Sequence, residues 1–313
     1  MSVLSNIPDL MTEASQRERR HWLQVWLAAA ACIIFLAAVA AYGFDYYWLS
    51  AADRPYSPKH VILRPSGTVG VNLGILGVFL FLLIFLYPLR KKISWLARRG
   101  SAKHWLDFHV VIGMAAPVLI AFHASFKFHG IAGMAFWIMF LVALSGFVGR
   151  YLYAQIPRSI NAAELSLREL ASQEEELTNL LAGQDILSAE MLAPLLRTPT
   201  PEDVKHMSAW RAVLEMMSTD IALPFRIARL RRCVLGPLGK VSSFGGFFAT
   251  GNLRLEEVIR SARRKASLSK RIAYLARTQQ VLYLWHVVHR PFSYSFAVLA
   301  VLHIAVAMGL GFM

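Results

Sequence analysis

Five apolar runs decide what this chain can fold into. Residues 22–44, 70–88, 105–126, 131–155 and 287–312 reach or approach the length needed to cross a bilayer, about 20 mostly apolar residues for a core roughly 30 Å thick. Of the 313 residues 56% are hydrophobic and 17% charged, against about 45–50% and about 25% in soluble domains. That balance excludes a disordered chain and argues against an ordinary cytosolic enzyme. The sequence therefore predicts an all-α integral membrane protein with five transmembrane helices and a helical cytoplasmic insertion between the fourth and fifth. Residues 1–155 carry the first four spans, 156–286 the insertion and 287–313 the fifth span. The first run includes AVA at 38–40, which looks like a signal-peptide cleavage site. Its apolar length exceeds the ~7–15 residues of a signal core, so it is read as a retained span.

Two cysteines, Cys32 and Cys233, exclude a disulfide scaffold, a four-cysteine zinc or iron–sulfur site, and the C-x-x-C-H attachment of c-type haem. The formal net charge of +14 would point to nucleic acid on a soluble protein. Placed by loop, the bases tell a different story. With the N-terminus inside, 29 Lys and Arg fall on the inner side and four on the outer, as the positive-inside rule requires. The N-terminus is expected inside and the C-terminus outside, in a bacterial inner membrane, with spans three and five both running outward. Nucleic acid becomes the weakest reading, and the surplus in 156–286 suits anionic lipid or an acidic partner. Trp48, Tyr46, Tyr47, Trp105, Tyr151 and Tyr153 lie near span ends, where amphipathic rings sit at headgroup level.

The insertion reads as helices. Asn161 is a candidate N-cap ahead of a leucine-rich stretch, and Thr200-Pro201-Glu202-Asp203 has the cap, first-turn proline and acidic residues of a helix start. The glycine-rich stretch 236–252 reads as an ordered loop. A basic helix from Leu253 is expected to run directly into the fifth span.

Four of the ten histidines share a pattern. His109 and His123 lie on span three, His289 and His303 on span five, and both pairs are 14 residues apart. At about 100° per residue, the second histidine returns to within roughly 40° of the first, about 21 Å along the axis. Each helix thus presents two imidazoles on one face. Depth pairs His109 with His289 and His123 with His303. That arrangement suits two b-type haems stacked across the membrane, each iron held axially by one histidine of each helix. Ionisable groups at such depth are rare and usually functional. Isolated histidines that only pack helices remain open as an alternative. So does a metal or proton path, although its carboxylates are nearly missing from the spans, with Asp107 at the inner edge of span three. Gly113, Ala115, Ala116, Ser293, Ser295, Ala297 and Ala300 provide gaps for a flat cofactor. Arg150 and Arg290 for the inner haem, and Lys127 for the outer, are candidate propionate contacts. His286 is rotated roughly 100° from His303 and makes a poor substitute ligand. His104 and His129 are interface positions, while His21, His60 and His206 carry no signal.

Paired His-x13-His spans on the third and fifth helices resemble the di-haem transmembrane domain of the ferric-reductase/NADPH-oxidase type. More loosely they resemble the cytochrome b of quinol:cytochrome c oxidoreductases. The resemblance covers roughly residues 70–155 and 286–313. It implies that His109, His123, His289 and His303 are haem ligands, and that the activity is electron transfer across the bilayer. Two features depart from it: no G-x-G-x-x-G fingerprint follows a strand, and the 156–286 insertion is foreign to the pattern. The expected role is a di-haem electron-transfer subunit acting with redox partner subunits, between a quinone or cytoplasmic donor and an outer acceptor. The alternatives are a histidine-lined metal or proton transporter and a non-redox membrane anchor.

Overall fold

A computed structural model describes the backbone of residues 7–156, 163–184, 186–235 and 243–311, and the side chains of 16–156, 172–184, 186–235 and 243–311. Asn161 and residues 236–242 of the glycine-rich stretch lie outside the described residues. The chain is all-α, with no strand among the described residues, and divides into two compact units: residues 1–150 with 287–313, and residues 151–286.

The first unit opens with α1 (Ile7–Tyr42), followed by the short α2 (Phe44–Tyr47), a 3-10 turn at Arg54–Tyr56, and α3 (His60–Leu63). Then come α4 (Thr68–Arg90), α5 (Ser94–Ala97), α6 (Ala102–His123) and α7 (Gly130–Gln155). Leu73 of α4 and Leu119 and Phe122 of α6 form a buried cluster, against which Leu36 and Val39 of α1 pack. The connection 45–69 is a folded cap. Its centre is Arg54, only 7% exposed, which donates to the carbonyls of Leu49 (3.1 Å) and Tyr47 (3.0 Å) and to that of Ser125. The Ser125 hydroxyl donates to Leu63 O at 2.7 Å. Ser125 and Phe126 have φ of 48° and 58°, a left-handed reversal that ends α6, and the arginine satisfies a carbonyl such a turn turns inward. Tyr46 is fully buried and its hydroxyl lies 3.1 Å from His60 Nδ1. The expectation of a headgroup-level ring fails at Tyr46 because this cap folds over it, while Trp48 remains exposed.

The second unit contains α8 (Ala163–Ala182), α9 (Ala189–Leu196), α10 (Pro201–Lys205), α11 (Ala209–Val234) and the first part of α12 (Leu253–Gly309). Its core joins Leu181, Leu192, Leu195, Ile227, Leu230 and Leu255. Thr200 and Asp203 form a reciprocal capping box at the start of α10, so the helix start expected from sequence is present. The Thr200 hydroxyl and amide hold the Asp203 carboxyl below its ordinary value.

The turn at 243–248 is fixed by Arg231. Its guanidinium pairs with Glu256 (Nη2 to Oε2, 2.6 Å; Nε to Oε1, 2.9 Å) and donates to the carbonyls of Gly246 (3.0 Å) and Phe247 (3.2 Å). Gly246 has φ of 88°, and a Cβ there would lie 2.4 Å from Ala228 O, so only glycine fits this close approach. Burial alone would raise the Glu256 carboxyl. Hydrogen bonds and charge from Arg231, with the Thr250 amide and hydroxyl, outweigh it and hold the group below the ordinary glutamate value. Its stabilising contribution is therefore complete above the unfolded value of about 4.3 and is lost as pH falls through the lower folded value. A thermal-melt series from pH 7 down to pH 3 is expected to show this loss in the wild-type protein and a flatter profile in Glu256→Gln.

Five helices are long and apolar enough to cross a membrane: Gln16–Tyr42, His60–Arg90, Ala102–His123, Gly130–Gln155 and Leu253–Gly309. The all-α membrane architecture expected from sequence is met. The basic helix from Leu253 and the fifth span are one continuous helix, whose residues from Val287 onward belong to the first unit. None of the 18 residues in the most apolar stretch of α12 is buried, as expected of side chains that face hydrocarbon rather than a protein core.

Candidate functional site

α6 carries His109 and His123, and α12 carries His289 and His303. Phe296 ties α12 to its neighbours, packing on the Ala121, Phe136 and Met139 cluster and standing edge-on to Phe81 of α4 at 5.4 Å. The structure brings His123 and His303 together, with ring centres 6.4 Å apart and planes at 72°.

Three of the four rings are anchored through Nδ1. His123 Nδ1 is 2.8 Å from Gly70 O. The ring lies so close to α4 that a Cβ on Gly74 would sit 2.7 Å from His123 Cε1, and the missing side chain is what admits it. His109 Nδ1 is 2.9 Å from Ile84 O, and its ring lies 5.2 Å from that of Tyr87. The Ile84 carbonyl is available for a simple reason. Its helical partner four residues on would be Pro88, which lies inside α4 and has no N–H. His289 Nδ1 is 2.7 Å from Ser145 Oγ on α7. Ser145 Oγ also donates to Val142 O at 2.8 Å, and in that arrangement its oxygen is left to accept from His289 Nδ1.

Carbonyl oxygens accept only. The bond at Nδ1 therefore assigns the same tautomer to the neutral rings of His109 and His123: Nδ1 protonated, Nε2 carrying the lone pair. Histidines that bind metals are oriented in this way, with the non-ligating nitrogen donating to a carbonyl or similar acceptor. A test of fit follows from the fourth ring. A bond of about 2.0–2.1 Å from each imidazole nitrogen to a shared metal ion, plus about 1.1 Å from each nitrogen to its ring centre, would set the two ring centres no more than about 6.3 Å apart. The His123 and His303 ring centres, at 6.4 Å, lie close to that separation. Gly113, one turn beyond His109, presents a position where a Cβ would meet nothing within 4 Å. Of the other small residues expected to open gaps, Ala116 is buried in packing, and the Ser293 and Ser295 hydroxyls bond back to His289 O (2.7 Å) and Pro291 O (3.0 Å).

The three candidate propionate contacts have distinct settings. Arg150 pairs with Asp107, Nη2 to Oδ1 at 2.7 Å and Nε to Oδ1 at 2.8 Å. Arg290 is exposed and stands within electrostatic reach of Lys91, whose ammonium lies 5.4 Å over the Tyr87 ring. Lys127 is exposed in the turn after α6.

Around Asp107 the structure assembles a cluster that spacing did not reveal. Asp107 is 5% exposed and its Oδ2 lies 2.9 Å from Nε2 of His21, itself 4% exposed. The His21 ring stacks on His104 at 3.6 Å, and His104 and Lys103 both face Glu18. His21 therefore has a definite partner. The signal available in the sequence was Asp107 itself, a carboxylate at a span edge that needs a cation. Among the described residues, no group of three or more His, Cys, Asp and Glu is arranged to hold a metal ion.

These features define the chain as an all-α protein with five helices long and apolar enough to span a membrane, two of them bearing paired histidines. No protein-family model, curated protein or solved structure matches it.

Proposed function

We propose that the protein is a di-haem b-type cytochrome subunit that carries electrons across a bacterial inner membrane. The observation that carries this reading is the His123–His303 pair: ring centres 6.4 Å apart with planes at 72°, and His123 Nε2 left as the lone-pair nitrogen by its Nδ1 bond to Gly70 O. His109 and His289 would form the second ligand pair, His109 with Nε2 left as the lone-pair nitrogen by its bond to Ile84 O and His289 held at Nδ1 by Ser145 Oγ. Haem held by these histidines would supply one-electron transfer. The protein's part is to fix the four rings, exclude water with an apolar surround, and neutralise propionates with bases such as Arg290 and Lys127. The 29-to-4 distribution of Lys and Arg supports an inner N-terminus and an outer C-terminus. The donor would be a quinone or a cytoplasmic redox protein, and partner subunits would accept the electrons.

A reduced-minus-oxidised visible spectrum of the purified protein tests the reading. The expected result is a b-type signal from two haems, one of which is lost in both His123→Ala and His303→Ala. Histidines that only pack helices, or that relay protons, would give no haem signal at all. That result would overturn the proposal.

A further inference from the structure

The second unit contains a cavity of about 190 Å³ in which, among the described residues, Arg226, Arg263, Lys270 and Arg271 meet one carboxylate, Asp220. That carboxylate is already engaged. Lys270, 4% exposed, places its ammonium 2.5 and 2.6 Å from the two Asp220 oxygens, and the Tyr151 hydroxyl donates to Oδ2 at 2.6 Å. The three arginines are left as a surplus of positive charge around a partly open space, with Arg226 also donating to Pro194 O at 3.2 Å. Arg271 Nε is buried with no hydrogen-bond partner among the described residues. Buried donors are almost always satisfied, so this one is open to an acceptor. Hydroxyls of Thr198 and Ser267 line the same space.

We infer that this cavity is a binding site for a phosphate-bearing anion. Guanidinium groups match phosphate oxygens with paired N–H donors, and hydroxyls complete the shell around a tetrahedral anion. At roughly 30 Å³ per water-sized volume, the cavity admits a phosphate group and the first atoms of its ester. A small carboxylate would leave most of the donors unmet. The phosphate can come from a soluble anion or from a phospholipid headgroup, and the site recognises the chemistry they share. Nothing in this inference depends on the haem reading.

Two measurements on the full-length protein separate the sources. Isothermal titration of the detergent-purified protein with inorganic phosphate tests the free anion. Melting temperatures in nanodiscs of phosphatidylglycerol and of phosphatidylcholine test the lipid. Arg271→Gln and the exposed Arg263→Gln are the probes, with an unchanged melt in phosphatidylcholine showing that each variant folds. Phosphate binding weakened about tenfold or more in the variants supports a free-anion site. No phosphate binding, together with a phosphatidylglycerol stabilisation that the variants lose, supports a headgroup site. If Arg271→Gln does not fold, Arg263→Gln alone decides. Neither response in the wild type, or responses equal in wild type and variants, would overturn the inference.

Discussion

Asp107→Ala is expected to destabilise the membrane unit by about 3–5 kcal/mol, the range for removing one partner of a buried ion pair and leaving the other charge uncompensated. The carboxylate holds two groups at once. Arg150 reaches it from α7 through two nitrogens, and His21 reaches it from α1 at 2.9 Å. Three helices thus converge on one side chain that is 5% exposed. Asp107→Asn keeps the shape and an acceptor oxygen and should cost less, which separates loss of charge from loss of volume. Thermal unfolding of detergent-purified variants supplies the measurement. If the pair is the source of the effect, the double variant Asp107→Ala/Arg150→Ala should lose less than the two single losses added together, because residues that contact each other are not independent. Simple additivity would assign the effect to packing around α6 instead.

That cluster also shows where reading the sequence reached its limit. Length and apolarity placed the spans, because membrane crossing is a local requirement of each segment. Helical periodicity put His109 with His123, and His289 with His303, on shared faces for the same reason. The Asp107–His21 contact spans 86 residues and the His289–Ser145 contact 144, and no local period encodes such meetings. Arg54 makes the point in another way. Counted as one of the four outer bases, it proves to be the buried centre of a cap, bonded to three carbonyls. Its role depends on the left-handed turn at Ser125 and Phe126, which no glycine announces. One tertiary contact was nonetheless legible in principle. Pro88 deprives Ile84 O of its helical donor, so a donor from elsewhere had to arrive, and His109 Nδ1 is that donor.

Ser145→Ala is expected to weaken retention of the haem that His109 and His289 would share by about 10–100-fold, the usual cost of removing a hydrogen bond that orients a metal-ligating histidine. Of the three Nδ1 acceptors, Gly70 O and Ile84 O are backbone atoms that substitution cannot remove. Ser145 Oγ is the side-chain acceptor. With its proton on Val142 O, it accepts from His289 Nδ1. Without it, His289 loses the contact at Nδ1 that favours a bare Nε2, the nitrogen a ligand must present. The measurement is haem content per protein together with a redox titration that resolves two components. One component should fall in occupancy and shift in midpoint potential, while the component assigned to His123 and His303 stays unchanged. Ser145→Thr, which restores a hydroxyl at the same place, should recover most of the loss. Equal effects on both components would mean that Ser145 supports the helix packing rather than the tautomer of one ligand.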